Sequence, residues 1–387
     1  MATGRWCFRP RPISDELLSS WLHRLALTNA TRDHTLCKTM WPDAAVWTRD
    51  LDRSLPNELL PVLSDWTGVS VSTLSRLQLT HWLGRLSETM PPRGHAAWLL
   101  PVGVYHRIRR RHGLMFCPAC LRESDADALW MWRMAWTVCC RRHRAYLLDA
   151  CPACSEPYMP FRSSPSMLGR MPCSSCGLDL ARVDQPLAPV WAWQFQQRME
   201  VALVKGHTQI EGRSFFALAL FTGLRSLVAL LLSRQGRELA GSITTTDHES
   251  VACPRGAAIE LHGIAARRWV MEAAWRLLQD WPISFIQLTR RVGFRHHLAE
   301  RIGSRWVFWM AEGIDRLPGC RQRQLDLIEA EAVSQWLVDR NETPTWNRIL
   351  STAGVSIPTR VPQPSVLHVL ERTMSAPKQD GHRTNQD

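Results

Sequence analysis

Eight metal-type ligands fall between residues 117 and 176 in four evenly built pairs: Cys117/Cys120, Cys140/His143, Cys151/Cys154 and Cys173/Cys176. Each pair has two intervening residues, so a single backbone turn aims both side chains at one point. The loops between the first and second pairs and between the third and fourth are 19 and 18 residues long, lengths that suit zinc ribbons. Thiolate and imidazole are good ligands for Zn²⁺, a borderline-soft ion that accepts tetrahedral geometry and does no redox chemistry. Four protein ligands per ion leave no open position for a substrate. The expectation is therefore two structural Zn²⁺ ions that stabilise a small, loop-rich segment. Sequential pairing gives a mixed site (Cys117, Cys120, Cys140, His143) and an all-cysteine site (Cys151, Cys154, Cys173, Cys176). A cross-brace in which Cys117/Cys120 share an ion with Cys151/Cys154 uses the same residues. Cys139 competes with Cys140, which is preferred because it restores the common spacing to His143.

Other cysteine chemistries fit less well. Disulfides need an oxidising compartment, whereas the chain opens MATGRWCFRPRP without an apolar signal segment, so a reducing cytosol is expected. A thioredoxin-like centre needs one CxxC in a βαβ setting. The deaminase signature is half present at Pro172-Cys173-x-x-Cys176, but the chain contains no His-x-Glu and no HExxH.

The formal charge of +12 and a pI near 9.5 point to polyanionic partners, DNA before membrane. Metal-bound thiolates would reduce that charge to about +9. Lysine occurs only at 38, 205 and 378, so the basic residues are almost all arginine, the better reader of phosphates and base edges. None of the three lysines completes a P-loop. Phe215 to Leu232 is the one apolar run of near-membrane length. Arg225 in its middle would cost about 2.5–3.5 kcal/mol on insertion, so the run reads as a buried helix.

The pattern along the chain predicts a mainly α fold with small zinc-ribbon β elements. An N-terminal helix-turn-helix domain spans 1–112, tandem zinc ribbons 113–182, a C-terminal helical domain 191–374 and a disordered tail 375–387. Ser14 is expected to cap a first helix carrying Asp15 and Glu16 in its first turn. Residues 59–79 read as helix, Gly68 stop, helix, with Ser70 as cap and with Pro61 a flaw in the first helix. Ser72, Thr73 and Arg76 would then face base edges, although such corners also serve purely structural roles in all-α domains. A second corner is expected near 346–360 at Gly354-Val355-Ser356. Arg107, Arg109, Arg110 and Arg111 form a basic cluster that would either neutralise phosphates or remain a solvated loop. Leu129, Trp132, Arg133 and Trp136 have helical spacing and read as core. Residues 181–190 read as a linker.

The chain resembles the TniQ/TnsD family of bacterial transposon target-selection proteins over about residues 8–180. The resemblance rests on Asp15-Glu16-Leu17-Leu18-Ser19-Ser20-Trp21-Leu22-His23-Arg24, on Asp50-Leu51-Asp52, on Phe116-Cys117-Pro118-Ala119-Cys120, on Trp132-Arg133-Met134-Ala135-Trp136, and on the remaining ligand pairs through Cys173-x-x-Cys176-Gly177-Leu178-Asp179-Leu180. It implies two sets of zinc ligands at the eight positions above and an adaptor without catalytic activity. Such an adaptor binds target DNA or docks on a CRISPR guide-RNA effector complex, then recruits an AAA+ ATPase regulator and transposase. Homodimerisation is left open. The alternatives are a zinc-containing transcription regulator, which would bind an operator without an ATPase, and a Mg²⁺-dependent transposase, for which no acidic cluster stands out.

Overall fold

The computed structural model describes residues 4–53, 55–105, 108–123, 128–162, 171–210, 212–245, 257–296, 299, 306–318, 325 and 327–353. They divide into two compact units, 1–317 and 318–387. Helix predominates in both, with short strand pairs in the first.

The first unit begins with four helices, α1 (Leu18–Thr28), α2 (Asp33–Met40), α3 (Leu60–Thr67) and α4 (Val71–Arg76). Their apolar faces close on one cluster containing Leu18, Trp21, Leu22, Leu36, Trp47, Leu63 and Leu74. The start of α1 differs from the sequence expectation. Asp15 is left-handed (φ 66°) and Glu16 is extended, bridging to Leu129, so neither lies in the first turn. Glu16 is instead buried and accepts bonds from Arg24, Ser20 and the Ile13 amide. A carboxylate claimed by three donors outside the helix is better satisfied than one at a helix N-terminus. Pro61 is accommodated because a 3₁₀ turn (Asn57–Leu59) precedes α3, placing the proline in the first turn, where its missing N–H is not needed. Gly68 ends α3 at φ 74°, and the Ser70 hydroxyl accepts from the Thr73 amide at the start of α4.

A two-stranded hairpin, β1 (Val104–Tyr105) and β2 (Ile108–Arg109), leads to the ligand-bearing segment, which carries the α-helix α5 (Pro118–Glu123). Residues 129–136 are not helical: a 3₁₀ turn covers Trp130–Arg133 and the chain then extends. Their side chains are buried as expected, with Trp132, Arg133 and Trp136 at 1% exposure or less.

Six further α-helices follow among the described residues: α6 (Val190–Lys205), α7 (Ala217–Leu232), α8 (Arg234–Ile243), α9 (Ile264–Leu278), α10 (Ile283–Arg291) and α11 (Phe308–Asp315). A hairpin of β3 (His207–Ile210) and β4 (Arg213–Phe216) separates α6 from α7. Helix α7 is the apolar run, packed at its Leu220, Phe221, Leu224 and Leu227 positions with no exposure, and Arg225 pairs with the buried Glu260. Among the described residues no single helix is long and apolar enough to cross a membrane.

The three consecutive parts read from the sequence share their interior. One apolar cluster runs from Leu17 through Phe116, the cysteine ligands and α6–α10 to Leu317. Leu17 faces this cluster while its neighbour Leu18 faces the helical one. The stretch read as a linker is strapped down: Tyr146 donates to Pro186 O (3.1 Å), Ala188 donates to Arg144 O (2.6 Å), and Leu187 bridges to Ala145.

The second unit contains α12 (Leu327–Asp339) and α13 (Trp346–Thr352), packed through Ala330, Leu337 and Ile349. The Gly354-Val355-Ser356 corner and the 375–387 tail lie outside the described residues.

Candidate metal centres

Three of the four ligand pairs fold into the same knuckle. The amide four residues after the first ligand donates back to that ligand's carbonyl: Arg144 to Cys140 (2.9 Å), Ser155 to Cys151 (2.8 Å) and Gly177 to Cys173 (3.0 Å). The first ligand's own amide then donates to the next carbonyl, of Ala145 (2.7 Å), Glu156 (2.9 Å) and Leu178 (2.7 Å) respectively. This reversal needs a left-handed residue at its apex. Arg144 (φ 52°), Ser155 (φ 60°) and Gly177 (φ 79°) supply it, two of them without the freedom of glycine. The fourth pair opens the same way, with Leu121 donating to Cys117 O (3.0 Å), but continues into α5.

The knuckles bring the ligands together in sequence order. Cys117, Cys120, Cys140 and His143 form one cluster and Cys151, Cys154, Cys173 and Cys176 the other, with donor atoms in each within 4.8 Å of one another. The cross-braced arrangement does not occur. Sulfur separations of 3.5 Å (Cys120–Cys140), 3.6 Å (Cys151–Cys176) and 3.5 Å (Cys154–Cys173) approach the ~3.8 Å set by tetrahedral bonds of about 2.3 Å, and exceed any disulfide. His143 turns Nδ1 toward the sulfurs (3.3 Å to Cys120) and sets Nε2 2.8 Å from Glu123 Oε2. A cation on Nδ1 leaves Nε2–H to donate to that carboxylate, which fixes the ring and raises its basicity. Glu123 and Cys120 share α5, so one helix supplies both a ligand and the support of another. Sequence reading missed Glu123, although its three-residue offset from Cys120 on a helix was a usable signal.

Cys139 takes no part. It is fully buried, its amide and thiol both reach Gln196 Oε1 (3.2 and 3.4 Å), and burial pushes the thiol up to about 12. Cys140 behaves oppositely: hydrogen bonds from the Cys117 and Cys120 thiols bring it down to about 2, while sharing with Cys117 and Cys140 drives Cys120 far up. Alone, the four donors concentrate negative charge on one sulfur. Four donors at this spacing could hold a metal ion, whose charge would stabilise their thiolate forms. In the second cluster the Glu156 amide lowers Cys154 to about 7. The clusters also differ in access, since Cys176 is exposed and Cys154 half-buried, whereas all three cysteines of the first are buried.

The TniQ family model matches residues 7–147. Over that stretch the chain is similar to the TniQ family. The match takes in the whole first cluster and stops short of Cys151. No curated protein matches the chain.

Within the TniQ segment the candidate nucleic-acid residues separate. Ser72 and Arg76 are exposed on α4, but Thr73 is half-buried and its hydroxyl is engaged by Ser70 and Arg76. Arg107 lies outside the described residues. Arg109 is not part of a solvated basic run. It is 5% exposed, lies 4.8 Å over the Phe161 ring and donates to Arg49 O, because alternation in β2 turns it inward. Arg110 and Arg111 face solvent.

The separate TniQ motifs converge on an ion cluster that the sequence did not reveal. Arg133, buried, reaches Asp50 Oδ2 (2.6 Å) and Asp52 Oδ2 (3.2 Å), and Asp52 accepts the amide and hydroxyl of Ser19, both at 2.8 Å. Burial pushes the Asp50 carboxyl up, but the Arg133 guanidinium outweighs it and holds the group below its ordinary value. One arginine thus ties α1 and the Asp50–Asp52 turn to the ligand-bearing segment.

Proposed function

We propose that the protein is a target-selection adaptor for DNA transposition, itself without catalytic activity. In this reading both clusters hold Zn²⁺ structurally, and the TniQ segment engages target DNA or a guide-RNA effector complex. A separate surface recruits an AAA+ ATPase regulator, which brings the transposase. The observation that carries the reading is the TniQ match over residues 7–147 ending on a mixed cysteine–histidine cluster. The donor sets support zinc in particular: Cys₃His and Cys₄ clusters of tetrahedral spacing, each closed by four protein side chains, suit a structural d¹⁰ ion and leave no position for substrate.

Recruitment fits the chemistry on hand. A basic chain gives residence on phosphates, and partner contacts turn a marked site into an assembly point. The deciding experiment is reconstitution with an AAA+ transposition regulator and its transposase. The adaptor should carry ATPase onto target nucleic acid and direct insertion, and alone with Mg²⁺ should leave supercoiled DNA intact. Strand cleavage by the protein alone would replace this reading with an enzymatic one. Specific operator binding with no ATPase recruitment would replace it with the transcription-regulator reading, which the exposed α4 corner favours on its own.

A further inference from the structure

A cleft of about 580 Å³ opens in the first unit between the Thr48–Arg53 turn, residues 92–104 and the base of the β1–β2 hairpin. Its lining includes five arginines, Arg49, Arg53, Arg93, Arg111 and Arg133, against a single acid, Asp50. Asp50 is paired with Arg133, as is Asp52 beside it. None of the other four arginines has a carboxylate within ion-pair distance among the described residues. Like charges gathered without acids repel one another, so such a cleft costs stability unless an anion fills it.

Its walls are built rather than incidental. Arg53, 7% exposed, donates through Nη1 to Gly94 O (2.7 Å), which fixes the 92–96 wall, and its buried Nε–H has no acceptor among the described residues. Arg133 Nε–H, also buried, has none among them either. Buried guanidinium donors without acceptors are uncommon and costly. Arg111 is seated by the backbone: its amide donates to Val102 O, and Gly103 (φ 58°) leaves room for its stem, because a Cβ there would lie 2.8 Å from Arg111 Cγ. Gly94 (φ 76°) presents open backbone on the opposite wall, with nothing within 4 Å of where a Cβ would stand.

We infer that this cleft is a seat for the phosphodiester backbone of a nucleic-acid strand, with Arg93 and Arg111 as the accessible phosphate contacts and Arg49 and Arg53 completing the field. The planar guanidinium fork matches phosphate oxygens in pairs, and several forks facing one groove follow successive phosphates. This inference rests on the nucleic-acid side of the adaptor reading. It relocates the contact from the 107–111 run to a cleft that, among the described residues of that run, Arg111 alone lines.

The test uses the full-length, metal-loaded protein and 20-mer probes of one sequence as duplex DNA, single-stranded DNA and RNA, with binding read by fluorescence anisotropy between 50 and 300 mM salt. Arg93→Ala/Arg111→Ala removes two exposed charges from the cleft, and Arg213→Ala/Arg234→Ala removes two exposed charges elsewhere. At least one probe should lose tenfold or more in affinity with the first pair, and its log–log salt slope should fall by about 1.4–1.8, the contribution of two phosphates. The second pair should leave the slope near wild type. The probe most affected identifies the strand as DNA or RNA. Equal effects of the two pairs, or none from the first while wild type binds, overturn the cleft and leave the adaptor reading standing. Absence of binding by wild type to all three probes overturns the cleft together with direct nucleic-acid contact. Unchanged melting temperatures of both variants exclude misfolding as the cause of a loss.

Discussion

At the residue scale, the adjacent cysteines 139 and 140 show how position overrides type. Cys140 opens a knuckle and points at three other donors, while Cys139, one residue earlier on an extended bridge to Tyr146, points into the core toward Gln196. Cys140→Ser should therefore lower bound metal from two ions to one by elemental analysis, whereas Cys139→Ser should keep both. Loss of an ion from the Cys139 variant would return it to the ligand set. A second prediction concerns Ser155, held left-handed at the apex of its knuckle. Glycine relieves the strain of that conformation, so Ser155→Gly should raise stability by about 0.5–1 kcal/mol, seen as a higher melting temperature at unchanged metal content. The ligand pairs themselves were legible because their spacing is a local property. The supporting Gln196 was not, since it matters only through what the folded chain places beside it.

At the scale of elements, the two clusters are similar in donors and unlike in setting. The first is embedded in the main core, with Glu123 on α5 bracing His143. The second has one exposed and one half-buried cysteine. Under a chromophoric chelator the ions should leave in two phases, the faster suppressed in Cys176→Ser, which lacks a ligand of the open site. A single phase, or loss of the slow phase in that variant, would show that access does not set the order. Glu123→Ala should weaken zinc at the first site by about 10–100-fold in competition titrations while the second site stays unchanged. Helices were readable wherever apolar periodicity was long, as in α6, α7, α9 and α12. Two readings went astray for tertiary reasons. Asp15 and Glu16 look like helix-opening acids, yet Glu16 is taken by Arg24 and Ser20; the 129–136 stretch has helical spacing, yet it pairs as bridges with Glu16 and Leu99.

At the scale of the molecule, buried ion pairs join segments far apart in the chain. Glu260, between the 257–262 turn and the core, accepts from the Trp98 amide (2.5 Å), His95 and Arg225, which brings α7 and the 95–98 segment together. Burial pushes its carboxyl up, but the hydrogen bond and charge of Arg225 hold it below the ordinary glutamate value. A folded-state value below the unfolded one contributes stability above about pH 4.5, and that contribution is lost as pH falls through the lower folded value. Glu260→Gln should cost about 2 kcal/mol near pH 7, the cost moderated because Arg225 is 30% exposed, and the deficit should shrink toward pH 3. Thermal unfolding of both proteins across pH 3–7 measures this; a deficit independent of pH would mean that the hydrogen bonds, and not the charge, carry the effect. Arg267, fully buried and donating to Ala135 and Thr137 carbonyls, likewise fastens α9 to the ligand-bearing segment.

The sequence alone determined the ligand pairs, the helix–glycine–helix corner and the buried nature of the long apolar helix, because each is written in spacing over fewer than about twenty residues. Tertiary structure decided the rest: sequential in place of interleaved pairing, the exclusion of Cys139, the turning inward of Arg109, and the gathering of Arg49, Arg53, Arg93, Arg111 and Arg133 around one cleft. These depend on which distant segments share a wall. Burial and electrostatic pairing act through space, and nothing in the order of residues encodes that neighbourhood until the chain has closed on its core.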